Sequence, residues 1–510
     1  MKVLFLYPNL RGMNMLPPAI AILSALLKRH GVESELFDTT YWRIPGEDNF
    51  DSDKAKEKNL NVRPFDFAEK VTLHETDVFE DFEKKVQSFS PDLIAVSATE
   101  DMFLLAIRLL ERVRSRGIPT LLGGVFATFA PELALSYPHI DMVCVGEGEK
   151  CLVELCDRMG RGRSYDDVTN LWVKKPDGSI VKNLITDPVD LSETMIPDIG
   201  IFEESRLYRP MAGQVYRMLP VETHRGCPFT CAFCNSPSQE RFYEQETGKK
   251  FLRVKPMPKV REELLYYRDV IKAEYFYFWA DTFLAWSQKQ FDEFCEMYAD
   301  IRMPFWIQTR PETLTEYRVR RLKAVGLHRV ACGIEHGNEK FRRERVDRRM
   351  KNDDLVKWLR ILNDVGVPYS VNNIVGFPTE TYELAWDTIR LNRQVNADNH
   401  NCYSFSPFHG TPLRTLAEQM GYITPEVITR SLTRDSILDM PQFPRTQVEG
   451  FRRCFVMYVK FPEERWPEIK QAEAFTPEGD AIWERLRDEF AATFFASKPE
   501  EESGANAIRA

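Results

Sequence analysis

The sequence lacks several features that would assign it to a specialised class of protein. No segment approaches the roughly 20 consecutive apolar residues that a membrane-spanning helix requires. The apolar start, Met1 to Pro8, is too short for a signal peptide, and no small-residue cleavage site follows it. Internal repeats and low-complexity tracts are also missing. We therefore expect a cytoplasmic globular protein with no membrane span.

The sequence has fewer basic residues than acidic residues. The chain carries 68 Lys and Arg residues against 77 Asp and Glu residues, a formal net charge of -9. Nucleic-acid binding depends on basic side chains that neutralise phosphates, so this balance argues against a nucleic-acid partner. A length of 510 residues suggests roughly two to four domains.

Cysteine is too sparse for a disulfide scaffold, with ten residues in the whole chain. Seven cysteines are isolated, and we expect them to be buried, inert thiols. These seven are Cys144, Cys151, Cys156, Cys295, Cys332, Cys402 and Cys454. The remaining three lie close together, which makes them the strongest candidates for chemistry.

The first part of the chain alternates short apolar runs with helical patterns, which predicts βαβ units and a parallel sheet. We expect a Rossmann-like domain over residues 1–165. Its predicted strands are Val3–Tyr7, Glu35–Asp38, Leu93–Ser97, Thr120–Leu122 and Met142–Val145. A charged insertion from Tyr41 to Glu83 is either a lid or a solvated loop. Residues 166–215 read as a hairpin around Pro176-Asp177-Gly178 followed by a linker, Asp187–Pro210.

A second block of six apolar runs predicts a partial (β/α)6 barrel over residues 216–420. The predicted strands are Pro220–His224, Tyr275–Trp279, Phe305–Gln308, Arg329–Ile334, Tyr369–Val375 and Cys402–Ser406. Ligands of such folds bind at the carboxyl ends of the strands. Residues 421–510 are expected to be helical, with a disordered tail from Ser497.

The three clustered cysteines form the motif C-x-x-x-C-x-x-C directly after the first predicted barrel strand. Cys227, Cys231 and Cys234 can ligate three irons of a [4Fe–4S] cluster. The fourth iron then stays open to chelate S-adenosylmethionine (SAM) and pass it an electron. His224 also allows a Cys₃His zinc site, although structural zinc sites usually take spaced ligand pairs. Chance clustering of structural cysteines is the third alternative.

This spacing, on the loop after the first strand of a six-unit β/α block, resembles the radical SAM superfamily from about Leu219 to Pro412. By that resemblance Phe233 packs near the SAM adenine. Asp281, in Trp279-Ala-Asp-Thr-Phe283, stands where the family contacts the SAM amino group, although the usual Gly-Gly-Glu is absent. Gly376 and Pro378 correspond to the segment that borders the adenine, where glycine permits close approach and proline fixes the turn.

The same resemblance makes three further residues candidate catalytic groups. Arg310 and Glu335, at the third and fourth strand ends, would contact the methionine carboxylate, the ribose or the substrate; the alternative is a buried ion pair between them. His409, after the sixth strand, is either catalytic or structural.

The first domain resembles the cobalamin domain of the class B radical SAM methyltransferases. The resemblance rests on Gly123-Gly-Val-Phe-Ala-Thr128, on Asp141-Met-Val-Cys-Val-Gly-Glu-Gly-Glu149 and on Leu16-Pro-Pro-Ala-Ile20. Small residues at parallel strand ends let a bulky ligand lie against the backbone. The implied cobalamin residues are Ser97, Thr99, Gly123, Gly124, Val125, Gly146 and Glu147.

The loop after the first strand, Tyr7 to Asn14, contains no histidine. Bound cobalt would then lack a lower histidine ligand from this loop, which favours methyl transfer. The alternative is that the domain has lost its cofactor and serves as a docking platform.

These resemblances imply a cobalamin-dependent radical SAM enzyme that methylates an unactivated carbon through a 5′-deoxyadenosyl radical and methylcobalamin. One alternative is a cyclase, oxidase or rearrangement enzyme with the same cofactors and no methyl transfer. A more distant alternative is a zinc-bearing nucleotide-binding protein. Implied partners are a flavodoxin or ferredoxin electron donor and a small-molecule substrate. Four aromatic residues would give the site an apolar mouth suited to a hydrophobic substrate: Trp279, Phe283, Phe405 and Phe408.

Overall fold

The computed structural model describes residues 1–12, 15–47, 60, 62–67, 70–430 and 435–495. The predicted disordered tail lies outside these ranges, as does a large part of the predicted charged insertion. Within the described residues, no helix is both long enough and apolar enough to cross a bilayer.

The first sheet has seven strands in the order β2-β1-β3-β4-β5-β6-β7. Its first five strands are parallel, and β6 and β7 extend one edge as an antiparallel hairpin. An order of 2-1-3-4-5 creates a crevice at the carboxyl ends of the strands, where doubly wound folds bind ligands. The strands are β1 (Lys2–Tyr7), β2 (Glu33–Asp38), β3 (Leu93–Ser97), β4 (Thr120–Gly123), β5 (Met142–Cys144), β6 (Leu171–Lys174) and β7 (Ile180–Lys182).

Helices cover both faces of this sheet, because its central strands are apolar on both sides. They are α1 (Pro18–Arg29), α2 (Val78–Phe89), α3 (Glu100–Val113), α4 (Val125–Phe129), α5 (Pro131–Ser136) and α6 (Glu149–Gly160). Asp77 caps α2 by accepting hydrogen bonds from the backbone N–H groups of Phe79 and Glu80. The predicted Rossmann-like fold is confirmed.

The second sheet has the order β16-β15-β14-β13-β12-β9-β8 and curls into a half-barrel. Six strands are parallel, as the sequence predicts, and β8 pairs antiparallel with β9 at one edge. The strands are β8 (Tyr208–Met211), β9 (Gln214–Glu222), β12 (Tyr275–Trp279), β13 (Phe305–Thr309), β14 (Leu327–Glu335), β15 (Tyr369–Val375) and β16 (Asn399–Ser404), while β10 (His224–Arg225) and β11 (Arg253–Val254) form a separate two-stranded ladder.

Strand β8 corrects one expectation, since the sequence pattern predicts a linker over Tyr208 to Pro210. Pro210 interrupts the apolar pattern and offers no backbone N–H, but an edge strand tolerates it. The strand pairs with β9 through Tyr208–Arg217 and Arg209–Tyr216.

Helices pack on the outside of the half-barrel, and local capping sets several of their ends. Ser287 and Gln290 form a capping box at the start of α9, and Thr315 caps α10. The helices are α7 (Ser236–Thr247), α8 (Met257–Asp269), α9 (Gln288–Tyr298), α10 (Glu316–Val325), α11 (Glu339–Glu344), α12 (Asn352–Val365), α13 (Tyr382–Asn392), α14 (Pro412–Gln419), α15 (Arg445–Lys460), α16 (Trp466–Gln471) and α17 (Pro477–Phe494). The last three form the predicted helical C-terminal region.

Polar contacts join the Rossmann-like unit to the half-barrel. The Tyr277 hydroxyl lies 2.9 Å from the Leu16 backbone nitrogen, whose N–H it accepts. Asp38 pairs with Arg206, 2.7 Å between Oδ2 and Nε. These contacts join the chain after β1 and the end of β2 to the half-barrel unit.

Candidate active site

The cysteine loop leaves β9 and places its three thiols in polar surroundings. Cys227, Cys231 and Cys234 are half-buried. Cys227 Sγ lies 3.3 Å from Thr282 Oγ1. Arg310 Nη1 donates to Cys231 Sγ over 3.2 Å, and the Ser236 backbone N–H donates to Cys234 Sγ over 3.5 Å. The N–H donors at Cys231 and Cys234 suit thiolate sulfurs that carry negative charge on iron.

Burial raises the pKa of all three thiols, to about 12 for Cys234. Partial removal from water disfavours the thiolate, and at Cys231 this outweighs the positive charges of Arg348 and Arg310, so that further positive charge is needed to ionise the thiol. Bound iron would supply that positive charge and deprotonate the thiols.

The loop geometry gives no support to the zinc hypothesis. Among the residues that the structure describes, no three His, Cys, Asp or Glu side chains gather closely enough to share one metal ion. His224 is buried, with Nδ1 3.1 Å from Thr223 Oγ1 and its ring packed edge-on to Trp286. An iron–sulfur cluster instead takes one thiolate per iron, which a wider spacing permits.

Arg310 lies directly beneath this loop, immediately after β13. Its guanidinium stacks on Phe229 at 3.8 Å from the ring centroid and pairs with Glu312, 2.7 Å from Nε to Oε1. The expected alternative, an ion pair between Arg310 and Glu335, is wrong. Each has a nearer partner: Glu335 Oε1 accepts from Arg348 Nη1 over 2.5 Å.

Arg348 is a site residue that was not among those predicted from the sequence. Its side chain is 2% exposed, and its electrostatic influence reaches Cys231. Its Nε and Nη2 atoms are buried without a hydrogen-bond partner among the described residues. Buried guanidinium donors are costly to leave unpaired, so they favour an anionic ligand such as a carboxylate. The only sequence feature that could have indicated Arg348 is the arginine-rich run that follows Phe341.

Asp281 follows β12 and is solvent-exposed at the mouth of the half-barrel. Crowding by surrounding protein raises its pKa, and Glu222 adds to the effect. Because Asp281 follows β12, its carboxyl lies on the same edge of the half-barrel as the cysteine loop, as the resemblance implies. Its contact with SAM remains a prediction.

Glu380 organises the segment that contains Gly376 and Pro378. Its Oε2 accepts hydrogen bonds from the backbone N–H groups of Gly376 at 2.6 Å and Phe377 at 2.9 Å. Gly376 has φ +83°, and a Cβ there would lie 3.0 Å from Val448 on α15. Phe233 approaches this segment, with its ring centroid 6.3 Å from that of Phe377. Glu380 too was not among the predicted residues.

Most of the predicted cobalamin residues lie together at the carboxyl ends of β3 and β4. Gly124 adopts φ +118°, and a Cβ there would lie 2.6 Å from the Ala98 carbonyl oxygen. Thr99, Gly124 and Val125 are exposed, and Ser97 is half-buried. A surface of small residues at the sheet's crevice fits a bulky, flat cofactor.

Glu147 has a different environment, at the interface between the two sheets. It accepts from Arg225 Nη1 at 2.6 Å and from Arg253 Nη2 at 2.8 Å. Burial alone would raise the pKa of Glu147, but these two arginines hold that pKa below its usual value. Gly146 leaves room for Tyr243, whose hydroxyl oxygen a Cβ would meet at 2.6 Å. These protein contacts argue against a side-chain contact from Glu147 to cobalamin.

His409 joins the half-barrel to the first sheet. Its Nδ1 lies 2.8 Å from Glu100 Oε1, and its Nε2 lies 3.0 Å from the Pro425 carbonyl oxygen. Glu100 also accepts from the Thr429 backbone N–H at 2.8 Å. Both ring nitrogens of His409 therefore have protein acceptors, an arrangement that favours a structural role; the predicted catalytic role remains a prediction.

The expected aromatic mouth is partly wrong. Trp279 is 42% exposed, but Phe283 and Phe405 are buried in the core. Phe283 packs against Trp286, and Phe405 packs against Phe377. Phe283 and Phe405 therefore belong to the core and do not line the opening.

A Rossmann-like unit joined to a half-barrel with a three-cysteine loop defines an α/β enzyme that works with bound cofactors. Residues 11–156 match the family model of the B12 binding domain, and residues 221–391 match the radical SAM superfamily. The chain is 26% identical over 497 residues to the anaerobic magnesium-protoporphyrin IX monomethyl ester cyclase of Rubrivivax gelatinosus, covering 91% of this chain and 79% of that protein. It is 26% identical over 403 residues to an uncharacterized methyltransferase of Pyrococcus horikoshii, covering 77% and 83%.

Solved structures share the whole architecture. The radical SAM methyltransferase TsrM of Kitasatospora setae, with cobalamin and a [4Fe–4S] cluster bound, matches with a TM-score of 0.64 at 15% identity over 98% of this chain and 99% of that chain. OxsB, a cobalamin-dependent SAM radical enzyme, matches with a TM-score of 0.63 at 14% identity over 100% and 74%. The chain belongs to the cobalamin-binding radical SAM enzymes. Its cofactors are a [4Fe–4S] cluster, SAM and cobalamin.

Proposed function

We propose that this enzyme methylates an unactivated carbon of its substrate. One observation carries the proposal: the cysteine loop and the small-residue surface of β3 and β4 belong to one joined pair of sheets. When bound, the cluster supplies the electron that cleaves SAM, and cobalamin supplies a methyl carrier. The protein's own contribution is orientation.

Individual residues take distinct parts in that orientation. Cys227, Cys231 and Cys234 hold the cluster. Arg348, with its buried unpaired donors, suits the methionine carboxylate of SAM, while Asp281 suits its amino group. Ser97, Thr99, Gly123, Gly124 and Val125 form the cobalamin surface.

The loop after β1 supports methyl transfer over tight retention of the methyl group. It runs from Pro8 to Pro17 and contains no histidine. No residue of this loop would supply an imidazole to the cofactor, and bound cobalamin would then supply a methyl group for transfer. The similarity to methyltransferases of this family agrees with the proposal.

A second candidate is ring formation without methyl transfer. It is favoured by the similarity to a cyclase that spans 91% of this chain. Both candidates need the same cofactors, so the residues above would keep their parts. We also propose a cytoplasmic location and a flavodoxin or ferredoxin as the electron donor.

The first experiment is anaerobic purification after supplementation with iron, sulfide and cobalamin, followed by quantitation of iron, zinc and cobalt. We expect about four irons and about one cobalt per chain. Cys231→Ala should lose the iron. Cys402→Ala is the matched control, because Cys402 is also half-buried but lies away from the loop. The prediction that Cys402 is fully buried is therefore wrong. Zinc in place of iron would contradict the proposal.

Turnover with SAM and dithionite then separates the two candidates. A methyltransferase converts one SAM to S-adenosylhomocysteine and another to 5′-deoxyadenosine, and its product gains one CH₂ unit. A cyclase forms 5′-deoxyadenosine without S-adenosylhomocysteine. An extract of small molecules serves as the substrate source, and product masses are compared with and without enzyme.

A further inference from the structure

Arg209 lies on the inner face of the half-barrel, away from the cysteine loop. Its cross-strand partner is Tyr216 on β9, and paired residues share one face of a sheet. Met218 and Tyr277 pack on that same inner face. Because Tyr216 lies six residues before Glu222, where β9 ends, Arg209 is deep in the half-barrel.

The Arg209 guanidinium is held by aromatic rings and, within the described part of the chain, has no acidic partner. Its central carbon lies 5.2 Å from the Tyr277 ring centroid and 5.9 Å from that of Trp306. Its hydrogen-bond acceptor among the described residues is Met218 Sδ, 3.9 Å from Nη1. A thioether is a weak acceptor, and a guanidinium has five N–H donors. Most of its donors are therefore available to a ligand.

Other arginines of this sheet have carboxylate partners. Arg329 on β14 pairs with Asp398, 2.7 Å from Nη2 to Oδ2. Arg217, next to the paired Tyr216 on β9, pairs with Glu204. Burial lowers the pKa of Arg209, the direction expected for a cation removed from water without a counter-charge. An anion that binds there would offset this cost.

A row of aromatic side chains leads from Arg209 to the mouth of the half-barrel. Tyr277 and Trp279 are two positions apart on β12 and so share its inner face, with ring centroids 6.4 Å apart. Trp279 is the last residue of that strand and is exposed. Trp306 on the neighbouring strand lies beside the same guanidinium. Trp279 is exposed and Trp306 is half-buried, so these two rings offer flat apolar surfaces to a conjugated ligand, while the Tyr277 ring is itself buried.

We propose that the half-barrel binds a flat conjugated substrate that carries a carboxylate, and that Arg209 receives this carboxylate. One guanidinium matches the single charge of a carboxylate and can bind it through two hydrogen bonds. The ring system lies along Trp306 and Trp279, so its far edge points to the strand ends. This inference rests on the proposed function, since it describes the substrate of the same site, and it adds the chemical class of that substrate.

Binding of protoporphyrin IX to the cluster-reconstituted full-length enzyme tests the inference. This probe is flat and carries two carboxylates, and its dimethyl ester is the uncharged counterpart. We expect saturable binding of the diacid to the wild type, and about tenfold to hundredfold weaker binding to Arg209→Gln. Arg209→Lys, which keeps the charge and loses the planar fork, should fall between them. The diester should bind both wild type and Arg209→Gln with the same, weaker affinity.

Arg217→Gln is the matched control, because Arg217 is on the adjacent strand and pairs with Glu204 outside the half-barrel. It should bind the diacid like the wild type. Unchanged iron content and circular dichroism verify that each variant is folded. Equal diacid affinity in the wild type and both Arg209 variants would overturn the inference, and so would the absence of saturable binding to the wild type. Binding needs neither electron transfer nor methyl transfer. The binding result can therefore be interpreted even if the enzyme proves not to transfer a methyl group.

Discussion

At the scale of single residues, Arg310 contacts the cysteine loop through the sulfur of Cys231. It donates to Cys231 Sγ and is fixed in place by Phe229 and Glu312. Hydrogen bonds to cluster sulfurs raise reduction potentials because they stabilise the more negative, reduced state. The arginine that sequence resemblance assigned to SAM or substrate therefore also acts on the sulfur.

We predict that Arg310→Met lowers the reduction potential of the bound cluster. Methionine has a similar length, but it has neither the donor nor the positive charge. A redox titration followed by electron paramagnetic resonance measures the potential. Arg320→Met is the control, because Arg320 pairs with Glu316 on the exposed side of α10. An unchanged potential in Arg310→Met would show that the hydrogen bond has no electronic effect.

Residues whose chemistry is local could be predicted from the sequence, and residues with distant partners could not. The three cysteines lie within one loop, so their spacing alone indicated their common site. Glu147 and Arg253 are separated by 106 positions, and no local pattern indicates their pairing. Arg348 was missed for the same reason, since its position beside Cys231 depends on how the chain folds after β14.

At the scale of elements, the turn from β4 into α4 shapes the predicted cobalamin surface. Gly124 has φ +118° and lies against the backbone of Ala98. A side chain there would both strain the backbone, at a cost of about 1–3 kcal/mol, and push β3 away from β4. The start of α4 would then move relative to Ser97 and Thr99.

Gly124→Ala should therefore reduce the cobalt content after reconstitution several-fold and leave the iron content unchanged. Metal quantitation per chain measures both at once. Gly117→Ala is the control for backbone strain in the same unit. Gly117 has φ +65°, but within the described residues no neighbouring atom lies within 4 Å of the position that a Cβ would occupy. Equal cobalt loss in the two variants would indicate general destabilisation instead of a damaged surface.

Most strands could be predicted from the sequence, because parallel strands buried on both faces read as apolar runs. Strands β3, β12 and β15 have the predicted limits. Strand β8 was missed because its sequence, Tyr-Arg-Pro-Met, mixes charge and proline at a sheet edge. Side-chain direction just beyond a strand end also escaped prediction, as Phe283 and Phe405 illustrate, because it depends on how the following loop turns.

At the scale of the whole molecule, Glu100 is a buried acidic link between the first unit and the residues after β16. It accepts hydrogen bonds from the His409 backbone and ring and from Thr429. Burial alone would raise the pKa of Glu100, but the contacts from His409 and Thr429 outweigh it and lower the pKa. A carboxyl group whose pKa is lowered by folding stabilises the fold at pH values above its ordinary pKa. This stabilisation is lost as the pH falls through the pKa of the folded state.

Glu100→Gln should lower the free energy of unfolding by about 3–5 kcal/mol at neutral pH, the cost of breaking a buried charged contact. The difference from wild type should shrink as the solution becomes acidic, because wild-type Glu100 is then protonated as well. Urea denaturation at a series of pH values measures this. Glu111→Gln, on the exposed face of the same helix, should behave like the wild type. A difference that stays constant with pH would exclude ionisation of Glu100 as its source.

The Tyr243 hydroxyl, on α7 of the half-barrel, lies against Gly146 and accepts the Glu147 backbone N–H from the first unit. Chimeras that exchange the first unit between relatives would therefore meet a steric requirement unrelated to their cofactors. A donor unit with any side chain in place of Gly146 would collide with the Tyr243 ring, whatever its affinity for cobalamin. Evolution by domain exchange is constrained in this architecture, and successful hybrids should be those that keep both Gly146 and Tyr243 or replace them together.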